Sequence, residues 1–63
     1  MKNEYMRAQI TNLSSILTTF EQACKMAALK QDGYIDKDEE KALKKIKAAT
    51  DKYRAELEKI KKE

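Results

Sequence analysis

Five carboxylates, Asp32, Asp36, Asp38, Glu39 and Glu40, fall within nine residues around the only glycine of the chain, Gly33. Acidic side chains at this density are the raw material of a hard-cation site, in which oxygen ligands replace the water around an ion such as calcium. A second candidate is Cys24, the single thiol, whose nucleophilicity depends on a basic neighbour that lowers its pKa. The third is a run of lysines, Lys41, Lys44, Lys45, Lys47 and Lys52, able to neutralise phosphates. Histidine, the usual general base near neutral pH, is absent.

The acidic segment resembles the second half of an EF-hand calcium loop. Gly33 stands where the sharp turn falls, Tyr34 where a carbonyl ligates, Ile35 where a branched residue pairs with a sister loop, and Glu39 at the bidentate closing position. This resemblance implies calcium as a ligand, held by Asp32, Tyr34, Asp36 and Glu39. It covers about eight residues and fails in its first half, where Ala28 and Lys30 occupy the first and third ligand positions. An ammonium in place of a carboxylate removes much of the attraction for a divalent cation. The same residues also satisfy a purely structural reading. Gly33 suits the left-handed position after a helix, and Asp36 with Glu39 has the spacing of a reciprocal capping box. Capping is therefore the expected role of these residues, with no metal or cofactor required and calcium as the alternative.

Catalysis has little to work with. Without His, a general acid or base must be a desolvated Glu, Asp, Lys or Tyr, and a 63-residue chain has no room for a deep pocket. Cys24 falls on an apolar stripe and reads as a small hydrophobe. The chain is expected not to be an enzyme. Nucleic acid is not favoured either: the net charge is +3, but residues 32–63 carry 10 basic and 9 acidic side chains, with Arg54 the only arginine. A weak basic nucleic-acid binder is the minor alternative. No membrane role is expected, because the longest uncharged stretch, 8–20, is short and rich in Ser, Thr and Asn. With no apolar leader near the start and one Cys, the expected compartment is the cytoplasm, with signal-independent secretion as the alternative.

The elements that position these residues follow from periodicity. No Pro interrupts the chain. Met6, Ile10, Leu13, Leu17, Phe20, Cys24 and Ala27 recur at steps of three and four, and so do Leu43, Ile46, Thr50, Tyr53, Leu57 and Ile60. Helices over about 4–31 and 36–62, joined by a turn at 32–35, form rods of about 40 Å each. The expected fold is all-α, a single domain over 1–63 shaped as an antiparallel, coiled-coil-like two-helix hairpin.

Composition adds a partner to this picture. Eight of the 26 hydrophobic residues are Ala, so the core of one hairpin is thin, and chains of this size bury only about 60% of their unfolded surface. The second helix is charged nearly everywhere off its stripe, whereas the first has no charge between Arg7 and Glu21. Ile16, Leu17, Phe20 and Ala23 are the expected interface, taken up by a second copy in a four-helix bundle or by another helical protein. Small helical hairpins of this kind resemble accessory subunits, chaperones and co-secreted partners of bacterial secretion machinery, and small phage regulators. That resemblance is architectural and implies a protein-binding role.

Overall fold

A computed structural model describes residues 2–63, except for the side chains of Gln31 and Asp32. Two helices account for nearly all of it: α1, Glu4–Asp32, and α2, Lys37–Lys62. They lie side by side and antiparallel, since the cross-helix hydrogen-bonded pairs 21–50, 18–54 and 11–61 step in opposite directions along the two elements. The molecule measures 48 × 16 × 7 Å, and its radius of gyration of 14.8 Å exceeds the roughly 11 Å of a compact chain of this length.

Local chemistry explains where each helix begins and ends. The Asn3 side chain accepts from the Met6 amide at 3.1 Å and caps α1, with Glu4 favourably placed in the first turn. Gly33 ends that helix at φ +74°, a left-handed conformation that costs a Cβ-bearing residue about 1–2 kcal/mol, and its amide donates to the Leu29 carbonyl at 2.9 Å. Lys30 lies in the last turn, against the negative end of the dipole. At Asp36 the capping box is complete: the Glu39 amide donates to Asp36 Oδ1 at 2.8 Å, and the Asp36 amide donates to Glu39 Oε1 at 3.2 Å. Asp38, Glu39 and Glu40 in the first turn and Lys59, Lys61 and Lys62 in the last oppose the dipole of α2 at both ends.

The seam between the helices keeps the middle of the heptad stripe, with Ile10, Leu13, Leu17 and Cys24 of α1 and Leu43, Ile46, Thr50 and Leu57 of α2, and departs from it elsewhere. On α1 the half-buried residues are Ile10, Leu13, Ser14, Leu17, Glu21, Cys24 and Ala28 along the facing side, with Leu29 beside the turn. On α2 they are Glu39, Leu43, Ile46, Arg54, Leu57 and Lys61, around Thr50, which at 7% exposure is the one buried residue among those described. Met6, Phe20 and Ala27, expected at the seam of α1, are exposed, and so are Tyr53 and Ile60 of α2. The cause is helical pitch. A step of 3.5 residues drifts by about 20° per heptad around a straight helix of 3.6, so the facing line moves from Tyr53 to Arg54 and from Ile60 to Lys61. The seam of α2 runs 39, 43, 46, 50, 54, 57, 61, an eleven-residue repeat matching a nearly straight rod.

Candidate functional site

The two sides of the seam differ in chemistry, and the difference follows from the 100° between successive helical residues. One flank is polar and bonded across the helices. Arg54 donates from Nη1 to Glu21 Oε1 at 3.0 Å and to Asp51 Oδ1 at 3.1 Å, and from Nη2 to Thr18 Oγ1 at 2.8 Å. The Thr50 hydroxyl donates to the same Glu21 oxygen, and Lys47 Nζ pairs with Asp51 Oδ2 at 3.3 Å. Nearer the open end, Lys61 Nζ donates to Thr11 Oγ1 at 2.8 Å. The hydrogen bonds from Thr50 first and Arg54 second hold the Glu21 carboxyl below the usual carboxylate range, with the positive charges of Arg54 and Lys47 adding to them against a smaller opposing effect of desolvation.

Hydroxyls make this network possible. Thr18 Oγ1 donates to the Ser14 carbonyl at 3.4 Å while accepting from Arg54, and Thr11 Oγ1 donates to the Arg7 carbonyl at 3.2 Å while accepting from Lys61. Ser14 and Thr19 also bond back to the carbonyls of Ile10 and Ser15. Each such hydroxyl spends its proton on its own helix, which lets an uncharged helix carry many Ser and Thr without stranding a donor.

The opposite flank is apolar on both helices. On α1 the positions 13, 16, 20, 23 and 27 line up beside the seam, occupied by Leu, Ile, Phe, Ala and Ala. On α2 the positions 42, 49, 53 and 60 do the same, occupied by Ala, Ala, Tyr and Ile. Thr18 and Arg54, joined by a hydrogen bond, fix the polar flanks of the two helices to one side of the hairpin, so the two apolar stripes share the other side. Ile16 is 52% exposed, Phe20 50%, Tyr53 44% and Ile60 42%. No charged side chain stands in the α1 stripe, and Lys45 and Glu56 edge the α2 stripe on its outer side.

The sequence-expected interface residues divide across this geometry. Ile16, Phe20 and Ala23 lie exposed on the apolar flank, and Leu17 is half-buried in the seam behind them. Tyr53 and Ile60, expected at the seam from their heptad spacing, bring α2 into the same surface, and the drift of a 3.5-residue step around a 3.6-residue helix is the sequence signal for it.

Two of the carboxylates at the turn are occupied by local structure. Asp36 and Glu39 are engaged in the capping box, and Tyr34 is 62% exposed. The side chain of Asp32, a proposed calcium ligand, lies outside the described residues. Among the described residues no three His, Cys, Asp or Glu side chains converge on a point where a metal could bind. Cys24 is a free, half-buried thiol on the facing side of α1. No helix among the described residues is long and apolar enough to cross a membrane. No protein-family model, curated protein or solved structure matches the chain.

Proposed function

We propose that the chain is a non-enzymatic protein-interaction module, an accessory, adaptor or chaperone-like subunit that binds through the uncharged side of α1 carrying Ile16, Phe20 and Ala23, with Leu17 supporting them from the seam. The observation behind this reading is one of burial: among the described residues no apolar side chain is buried, while Ile16 and Phe20 each leave half of their surface in water. Two long helices touching along one line cannot enclose a core, and stability in small folds comes mainly from enclosed apolar surface. A protein surface laid over this flank supplies what the single hairpin lacks. The rest of the molecule suits that role, since α2 lies beside α1 and adds Tyr53 and Ile60 to the same flank, while the Glu21–Arg54 network ties the two helices together on the opposite one.

The test is a comparison of wild type with Ile16→Glu, following melting temperature against protein concentration and, in parallel, mass by light scattering. A hairpin that depends on a covered flank melts at low temperature when alone and gains stability as its partner is supplied, by mass action. Ile16→Glu places a charge in that flank and removes the gain. A monomer that melts cooperatively at high temperature, at every concentration and regardless of Ile16→Glu, refutes the interaction reading.

A further inference from the structure

We infer that the partner on the apolar flank is a second copy of the chain, laid face to face and antiparallel about a two-fold axis that crosses α1 at Phe20 and α2 at Asp51. This inference rests on the interaction reading above and adds the identity and geometry of the occupant.

The size of the side chains along each stripe carries it. On α1 the large residues Leu13 and Ile16 precede Phe20 by seven and four positions, and the small residues Ala23 and Ala27 follow it by three and seven. An antiparallel copy centred on Phe20 sets Leu13 against Ala27 of the second copy, brings Ile16 within one residue of Ala23 of the second copy, and lets the two Phe20 side chains meet at the axis. On α2 the gradient is reversed, with Ala42 and Ala49 before the midpoint and Tyr53 and Ile60 after it. Centred on position 51, Ala49 meets Tyr53 of the second copy and Ala42 meets Ile60 of the second copy. Away from the axis, where Phe20 meets its own copy, each of these pairs sets large against small, as close packing of two facing helices requires, whereas a parallel copy sets large on large and Ala on Ala, with overlap at one end and voids at the other.

The midpoints of the two stripes are level in the hairpin. Glu21 is hydrogen-bonded to Thr50, so α1 at position 20 and α2 at position 51 stand side by side within about one residue rise, 1.5 Å. One axis therefore serves both stripes, as an isologous interface demands. The rim agrees: Lys45 and Glu56, both exposed and just outside the α2 stripe, are placed nearly symmetrically about position 51, so that each Lys45 lies opposite Glu56 of the second copy. The surface available is sufficient. The chain exposes 5351 Å², against about 4,200 Å² for a compact protein of 7.3 kDa, and the difference of about 1,200 Å² exceeds the roughly 800 Å² per partner of a standard interface.

Disulfide trapping tests the axis. In a Cys24→Ser background, Phe20→Cys lies on the two-fold and is expected to give a covalent dimer under mild oxidation. Ile16→Cys alone is expected not to, because its own copy is offset by eight residues, about 12 Å, beyond the reach of a disulfide. Ile16→Cys mixed with Ala23→Cys is expected to give the mixed dimer. As a check that leaves the apolar flank intact, Lys45→Glu and Glu56→Lys should each weaken the dimer about three-fold, and the double reversal should restore it. A dimer in which Ile16→Cys links to itself and Phe20→Cys does not overturns this geometry and leaves the interaction reading standing. A weakly folded monomer overturns the second copy as occupant and leaves the flank to a different helical protein. A firmly folded monomer indifferent to Ile16→Glu removes both.

Discussion

Replacing Asp36 by Ala separates the two roles that the turn could have. In the structure the Asp36 carboxylate accepts from the Glu39 amide at 2.8 Å and so satisfies one of the orphan donors at the start of α2. Asp36 is exposed, so the freed amide meets water, and the cost is that of an ordinary N-cap, about 1 kcal/mol, rather than that of a buried orphan. With an unfolding entropy of about 2.1 cal/mol/K for each residue, the 63-residue chain loses about 8 °C in melting temperature. Asp36→Asn keeps the acceptor and is expected to stay within about 2 °C of wild type. The assay is thermal unfolding followed by circular dichroism, once in EDTA and once in millimolar calcium. If capping is the role of Asp36, the fall is the same in both. A variant that is neutral in EDTA and impaired only with calcium would make this carboxylate a ligand, and the EF-hand-like reading of Asp32, Tyr34, Asp36 and Glu39 would replace the present one.

Leu17→Ala removes a half-buried side chain from the seam and is expected to cost about 2 kcal/mol, whereas Asn12→Ala, exposed on the far side of α1, should change stability by no more than about 0.5 kcal/mol; equal costs in denaturant unfolding would refute the seam. Gly33→Ala meets no atom within 4 Å of the added Cβ, so its cost of about 1 kcal/mol comes from the left-handed backbone alone, and Gly33→Asn should recover part of it. The Glu21 carboxyl titrates below its ordinary value in the folded chain, so its contribution is whole above the unfolded value of about 4.3 and is lost as pH falls through the lower folded one. Melting curves between neutrality and acid should show that loss in wild type and a shallower one in Glu21→Gln, and parallel curves would refute the role of the network.

Helix ends were easy to read from the sequence because they are set by local, directional chemistry. Gly33 and the pair Asp36 and Glu39 act within one turn, and no tertiary contact competes with them. Asn3 escaped notice because its cap has no Glu or Gln three residues later to announce it. The side of α1 that meets α2 was harder. Two adjacent stripes on that helix repeat at steps of three and four, and the more apolar one faces outward. The inner stripe holds Ser14 and Glu21, which look unsuitable until Thr50 and Arg54 are brought opposite Glu21 by the fold. Cross-helix pairing of this kind leaves no periodic trace in either segment. Arg54 adds to the ambiguity, since its aliphatic stem can cover the seam while its guanidinium reaches the polar flank.

The break at Gly33 also governs which chain each helix embraces. If residues 33–36 adopted helical geometry, α1 and α2 would fuse into one rod of roughly 90 Å, and the pairs 21–50, 18–54 and 11–61 could all be remade between two such rods. Folding back and exchanging arms thus share most of their bonds, and the choice between them falls to the left-handed glycine and the cap that follows it. Gly33→Ala combined with Asp36→Ala weakens only the bent connection, so slow interconversion to an arm-exchanged dimer is the expected fate of the doubly altered chain at high concentration. The four residues 33–36 would then decide which chain each helix pairs with.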